Sequence, residues 1–337
     1  MAKKRPPGKR HDLQDATKPL DDFDRLARKR LGLPPLEKLV NPSRRRWLPP
    51  LLLLLFALLL IGYGVHHFRS RSAALAPRSP LTVSFLDIGQ GDSTLIQTPS
   101  GKNILVDTGP RAAQADLFAE LGRRGVKQLD MLITTHHDKD HNGNNLAVLR
   151  YFPVTTVVDS GYYRGGKIPT ALAKEIQHQN IQTSQVAQQL TGTSKDMGDG
   201  VTLNYLAPAK HANYALNLND TSIILKVSMG KVGFLLMGDA EETERAALLA
   251  SGQNVQATVL KVAHHGSRTG TDRSFLLRVQ PEIAVIPCGA WNSYNHPDPE
   301  ALDVLLKSGV TVFRTDRNGT INVETDGETY TVSPSAK

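Results

Sequence analysis

One cysteine, Cys288, stands in 337 residues. No internal disulfide can form, and no thiolate-built zinc site is available. Before Gly289 in an apolar run, this thiol reads as a small buried strand residue, so it says nothing about compartment. Repeats of fixed period are missing too, which argues against a solenoid or propeller. The formal charge of +8 invites a nucleic-acid reading, but the body lacks the basicity that reading needs. Residues 1–80 hold 17 Lys and Arg against 6 Asp and Glu, leaving 23 against 26, a net −3, for residues 81–337. A slightly acidic body suits a protein that spends carboxylates on metal ions.

What is present begins with a tail, residues 1–46, rich in Lys, Arg and Pro and expected to be mostly disordered. A nearly pure apolar run follows over residues 47–66, about the ~20 residues that a hydrocarbon core requires. Pro49 and Pro50 fall at its first turn, where a missing N–H matters least. Arg44, Arg45 and Arg46 precede it and only Arg69, Arg71 and Arg78 follow closely. The positive-inside rule therefore predicts a single-pass anchor with a cytoplasmic N-terminus and an extracytoplasmic body. A cleaved signal peptide is the rival. Ala74-Leu75-Ala76 resembles a cleavage site, but the basic region ahead of the run is far too long. Residues 67–80 read as a linker.

From Leu81 to residue 334 the pattern changes to short β-branched runs separated by turns. Strands are expected at Leu81–Ile88, Ser93–Thr98, Asn103–Asp107, Gln128–Thr135, Thr155–Asp159, Val201–Leu206, Ser222–Ser228, Val232–Met237, Ala257–Ala263 and Ile283–Pro287. Helices are expected at Gln114–Arg124, Asn144–Tyr151, Pro169–Gln179, Ala240–Ser251, Phe275–Val279 and Asp298–Ser308. Such a mixture fits an α/β domain of two mixed sheets packed face to face with helices outside.

The chemistry concentrates in Thr134-Thr135-His136-His137-Asp138-Lys139-Asp140-His141, directly after an apolar strand. His136, Asp138, Asp140 and His141 can converge on cations within one loop. Imidazole with carboxylate and no thiolate suits Zn²⁺, Mn²⁺ or Fe. Asp107 ends a strand ahead of Gly109, where a carboxylate can orient a ligand. Asp239 follows an apolar strand through Gly238 and could bridge two metals, or else cap the next helix. His264 and His265 also end an apolar strand.

Together these stretches resemble the metallo-β-lactamase superfamily, and most closely the hydrolase domain of ComEC-type DNA-uptake proteins. The resemblance rests on Phe85-Leu86-Asp87-Ile88-Gly89-Gln90-Gly91-Asp92-Ser93, Leu105-Val106-Asp107-Thr108-Gly109 and the His136–His141 motif. It continues through Asn219-Asp220-Thr221-Ser222, Met237-Gly238-Asp239, Leu260–Ser267 and Asn292–Pro297. It implies an αββα sandwich preceded by one transmembrane helix. It also implies two divalent metal ions, Zn or Mn, held by His136, Asp138, Asp140, His141, Asp239 and one of His264 and His265. The doublet leaves the register open, with His264 favoured. Asp220 stands either as a ligand or as a carboxylate holding a loop. No lone His of the kind many relatives carry fills the middle of the motif set. His178 reads as solvated and His211 as a loop residue.

Lys261, Ser267, Tyr294 and His296 are expected to touch substrate, with Asp140 and His296 in catalytic roles. The run His296-Pro297-Asp298-Pro299 doubles as a helix-start signal. The Asp87–Asp92 run lacks the Lys-Ser/Thr of a phosphate-binding P-loop and is expected to line the site as a tight turn. Three functions compete. One is a phosphodiesterase or nuclease on DNA outside the membrane, with a metal-bridged hydroxide attacking phosphorus and Arg268, Arg273 and Arg314 as candidate backbone contacts. The second is a hydrolase of amides, esters or thioesters. The third is a non-catalytic DNA-binding subunit of a competence or uptake apparatus.

Overall fold

The protein is described here by a computed structural model that covers residues 29–30, 32, 54–63, 79–163, 167–209 and 217–335. The chain divides into two compact units, Met1–Pro77 and Arg78–Lys337. In the first, residues 54–63 form a helix whose Leu54, Phe56, Leu59 and Ile61 are all exposed. Among the described residues no helix is long and apolar enough to cross a membrane. The rest of the expected span, the tail apart from three residues, most of the linker and His11, His66, His67 and His211 lie outside the described residues.

The second unit holds fifteen described strands in two sheets. The first sheet contains β1 (Leu81–Phe85), β2 (Thr94–Gln97), β3 (Asn103–Val106), β4 (Leu129–Thr134), β5 (Val154–Asp159), β6 (Gln182–Gln185), β14 (Ile321–Thr325) and β15 (Tyr330–Pro334), in the order β15-β14-β1-β2-β3-β4-β5-β6. The second contains β7 (Ser194–Gly198), β8 (Val201–Ala207), β9 (Ile224–Met229), β10 (Val232–Leu236), β11 (Val259–Lys261), β12 (Ile283–Ile286) and β13 (Thr311–Arg314), in the order β13-β12-β11-β10-β9-β8-β7. Both are mixed. β3 to β6 run parallel, as do β10 to β13, while the remaining pairs are antiparallel.

Side-chain alternation along the strands sorts the apolar residues into layers. Val83, Phe85, Ile104 and Ile133 of the first sheet meet Leu203, Leu225, Phe234 and Val285 of the second in one central core. The opposite faces carry Leu95, Leu105 and Leu132 on one side and Leu235, Leu260 and Ala284 on the other. Helices α1 (Gln114–Arg123), α3 (Asn145–Tyr151) and α4 (Thr170–His178) cover the first outer face through Leu117, Leu149 and Ile176. Helices α5 (Glu242–Ala250), α6 (Arg273–Val279) and α7 (Pro299–Lys307) cover the second through Leu248, Phe275 and Leu305. Strands buried on both faces read as continuous apolar runs, which is why VGFLL and IAVI were legible as strands. The four layers are the expected αββα sandwich.

Differences from expectation have local causes. β6 (QTSQ) and β7 (SKDMG) are the polar outermost strands of their sheets, carrying no apolar alternation to announce them. The expected loop after His137 contains a single helical turn, α2 (Lys139–Asn142), begun by Asp138. The helix expected from Ala240 starts at Glu242 with Glu241 as its N-cap, so Asp239 is not spent on capping.

Candidate metal centre

The parallel strands point their carboxyl ends to one edge, where crevices collect ligands in α/β sheets. β3 delivers Asp107, β4 delivers His136, β10 delivers Asp239 and β11 delivers His265. Asp107 adopts φ 61°, a left-handed conformation sparse for non-glycine residues. In return its buried carboxylate accepts three bonds. Thr135 donates its N–H (2.8 Å) and its hydroxyl (2.6 Å), and His141 Nδ1 lies 2.7 Å away. A carboxylate here can only accept, so in the neutral ring Nδ1 carries the proton and Nε2 is the lone-pair donor.

His265 is fixed the same way from a different element. Its Nδ1 lies 2.9 Å from the Pro287 carbonyl oxygen, which again assigns the proton to Nδ1 and frees Nε2. That Nε2 is 3.3 Å from Asp140 Oδ2 and 3.6 Å from Asp239 Oδ2. His141 Nε2 is 3.1 Å from Asp239 Oδ1, and His136 Nε2 is 3.9 Å from Asp239 Oδ2. Asp239 is thus the hub. Ser222 Oγ accepts its backbone N–H (3.0 Å). Gly238 makes the approach possible at φ +54°, because a Cβ there would meet Ser222 Cβ at 2.8 Å and Thr135 Cβ at 3.1 Å.

Electrostatics follow the geometry. Burial opposes the charge on Asp239, yet the surrounding imidazoles hold its carboxyl well below the usual carboxylate range. Burial also opposes charge on His141, but Asp239 and Asp107 push its pKa well above the ordinary imidazole value. His136, buried and beside His141, is pushed well below it. Burial would raise Asp140, but the bond to His265 and the nearby imidazole charges draw it down to about 2.

Metal binding can be judged from unmet bonding capacity. Nε2 of His136, His141 and His265, Oδ1 of Asp239 and Oδ1 of Asp92 are all buried, and none makes a hydrogen bond of ordinary geometry. Stranding five such atoms in one place would be costly unless something electrophilic meets them. Three-residue groups whose donor atoms lie within 4.8 Å of one another are His136-His141-Asp239, Asp140-His141-His265, Asp92-Asp239-His265 and Asp92-Asp107-His141. The donor set of imidazole and carboxylate fits a divalent cation of borderline hardness.

Several expectations change position. His265, not the favoured His264, joins the cluster. His264 Nδ1 lies 2.8 Å from Glu241 Oε1, and its Nε2 stays 4.0 Å from Asp239. Both residues take left-handed φ values, 49° and 52°, so consecutive side chains diverge. Asp138 begins α2 and belongs to none of the converging groups among the described residues. Asp220 holds a loop: its Oδ1 accepts the N–H groups of Glu241 (2.9 Å) and Glu244 (3.2 Å) at the start of α5. Lys261, expected at the substrate, is buried; its ammonium pairs with Asp92 and donates to the Gly238 carbonyl (2.7 Å). Ser267 is buried too, with its hydroxyl 2.9 Å from Thr269 Oγ1.

His296 and Tyr294 do reach the rim. The His296 ring centroid is 5.2 Å from that of His264 and 6.5 Å from that of His265, and exposed Tyr294 stacks on it at 5.8 Å. Asn292 shapes this loop by accepting the N–H groups of His296 (3.0 Å) and Tyr294 (3.2 Å). Burial and the neighbouring imidazoles hold His296 below the ordinary histidine value. Of the candidate arginines, Arg314 is turned into an ion pair with Asp316, and His178 is exposed as expected.

The Asp87–Asp92 turn was expected to line the site, but Asp92, Ser222 and Glu241 were given no individual role from the sequence. Asp92 had a usable signal, a carboxylate closing a Gly-x-Gly turn between two strands. Ser222 had only its place in the Asn219–Ser222 motif and Glu241 had no signal, since their roles arise from contacts across the fold.

Comparison with known proteins bears on the same region. Residues 86–199 match the family described as the metallo-beta-lactamase superfamily. The chain is 30% identical over 259 residues to "ComE operon protein 3" of Bacillus subtilis, covering 71% of this chain and 32% of that protein. It is 31% identical over 256 residues to "Competence protein ComA" of Neisseria gonorrhoeae, covering 75% and 34%. It is 28% identical over 274 residues to "Recombination protein 2" of Haemophilus influenzae, covering 80% and 31%. The chain therefore spans about a third of the length of these curated relatives.

Proposed function

The chain carries a metallo-beta-lactamase superfamily domain of the ComEC type, and from that premise we propose that it is a metal-dependent phosphodiesterase that cleaves DNA outside the membrane. One observation carries the reading. Three buried imidazole Nε2 atoms, of His136, His141 and His265, converge on Asp239; for His141 and His265 the other ring nitrogen is already committed to an acceptor. His136, His141, His265, Asp239 and Asp140 would hold two divalent ions, Zn or Mn, with Asp92 beside them. Such ions supply an activated water and neutralise charge on phosphoryl oxygens.

The chain's own residues do the rest. Asp107 and the Pro287 carbonyl orient two ligands, Ser222 positions Asp239, and Asp220 anchors the loop that carries Ser222 against α5. His296, neutral at pH 7 because its pKa is depressed, can donate one ring N–H to a phosphoryl oxygen at the rim, and Tyr294 stacks behind it. The DNA substrate rests on the relatives, one of which is named for competence and one for recombination. The anchor and the extracytoplasmic placement rest on the apolar run at 47–66 and its basic flank.

The test is metal analysis of the full chain in detergent, paired with turnover of bis-p-nitrophenyl phosphate, single- and double-stranded DNA, and nitrocefin, with and without Mn²⁺. The proposal expects bound divalent metal and diester cleavage abolished by Asp239→Asn. Nitrocefin turnover without diester cleavage would assign amide chemistry instead. DNA retention without any turnover, unchanged in Asp239→Asn, would assign a binding subunit.

A further inference from the structure

Outside the metal centre, a cavity of about 500 Å³ opens between α1 and α3, within the ~300–1,000 Å³ range of ligand sites. Arg111, Gln114, Phe118, Gly143, Arg150 and Tyr151 shape it. No carboxylate lines it, although residues 81–337 carry a net −3. Arg150 turns its Nε to Glu175 at 3.1 Å, while Arg111 is exposed with no ion pair among the described residues. Tyr151 is 69% exposed on the outer helix α3. Its ring is propped from below, with centroids 4.8 Å from Phe118 and 4.9 Å from Phe152. A ring held by two others presents one fixed face at little entropic cost.

The cavity borders the segment that carries two of the candidate ligands. Gly143 follows α2, the turn that carries Asp140 and His141. It packs so closely on the neighbouring strand exit that a Cβ would meet Arg111 N at 2.5 Å and Gly109 O at 2.7 Å. Arg111 is thereby held beside the loop that supplies two of the candidate ligands.

We propose that this groove binds a strand of single-stranded nucleic acid leading to the metal centre, with a base stacked on Tyr151 and a phosphate against Arg111. Sequence-independent strand binding needs these two elements together, an aromatic platform and an unpaired cation. The inference rests on the phosphodiesterase reading for its direction, but its test does not depend on turnover.

The experiment measures fluorescence anisotropy of a labelled, cleavage-resistant phosphorothioate oligothymidylate of about twelve nucleotides with the full chain in detergent. Tyr151→Ala should weaken binding about five- to a hundred-fold, and Tyr151→Trp should restore it. Arg111→Gln should lower the slope of log affinity against log salt by about 0.7, the share of one phosphate contact. Turnover of bis-p-nitrophenyl phosphate should stay at the wild-type level in all three variants. Wild-type protein that retains no oligonucleotide, or variants that bind as wild type does, would overturn the groove and leave the diesterase reading standing. Loss of small-diester turnover in parallel with binding would overturn it as well, by showing a disturbed metal centre. Wild type that cleaves no diester while binding stays dependent on Tyr151 would uphold the groove and sink the diesterase reading.

Discussion

Asp107→Asn removes one negative charge and changes almost no volume, which makes it the sharpest probe of the centre. In the native site both carboxylate oxygens accept, from Thr135 N–H, Thr135 hydroxyl and His141 Nδ1. An amide can keep its oxygen on Thr135 N–H, but its NH₂ then faces His141. Nδ1 must become the acceptor, the ring proton moves to Nε2, and the lone pair aimed at Asp239 is lost. Outer partners of metal-ligating histidines are worth roughly 10–100-fold in metal affinity, or about 1.4–2.8 kcal/mol at ~1.4 kcal/mol per tenfold. The assay is a chelator-competition titration of Zn²⁺ or Mn²⁺ on the full chain, read against thermal unfolding in EDTA. Affinity should fall by that range while the metal-free protein remains folded. Unchanged metal affinity with a lowered metal-free melting temperature would refute the reasoning, leaving Asp107 as a carboxylate that only ties β3 to β4.

Three further outcomes are expected. Gly238→Ala should cost at least about 2 kcal/mol in urea titrations, from the left-handed φ and the contacts on Ser222 and Thr135; a variant within 0.5 kcal/mol (~a factor of two) of wild type would contradict the described turn. Asp272 caps α6 through Phe275 N–H (2.8 Å) and pairs with Arg245. Its folded pKa is depressed despite some burial, chiefly by bonds from Ser274 and Phe275. A depressed carboxylate contributes stability above its unfolded pKa and loses it as pH falls through the folded one. Wild type should therefore exceed Asp272→Asn in urea midpoint at pH 7, with the gap closing in the acid range below the ordinary aspartate value; a gap constant down to acid would refute the assignment. Cys288 is buried and its thiol is pushed up to about 12, by burial first and then by Asp316. Ellman's reagent at pH 8 should label it only as fast as the protein unfolds, and rapid labelling of native protein would place the thiol elsewhere.

The legible parts of the site were those in which sequence neighbours become spatial neighbours. His136, Asp140 and His141 lie within six residues, and one strand end plus one helical turn brings them together. Asp107 and Asp239 were legible because each follows an apolar strand that must end at the same edge. The His264-His265 choice was not legible, because it depends on two consecutive left-handed residues and on the Pro287 carbonyl across the sheet. Lys261 misled for a related reason. A lysine beside a motif histidine reads as a solvent-facing contact, yet here a buried carboxylate 169 positions away in sequence draws its ammonium inward.

The sandwich layers and the imidazole–carboxylate character of the site were therefore legible in the sequence alone, since apolar periodicity dictates which faces are buried and donor type dictates which cation fits, whereas the strand order came from the fold. Tertiary structure decided which histidine joins the cluster, whether Asp220 ligates or caps, that Asp92 and Lys261 share the centre, and that Tyr151 stands over a groove beside it. Those outcomes turn on distances between segments that only packing brings together, and a bond of 2.7 Å rather than 4.0 Å leaves no trace in the order of residues.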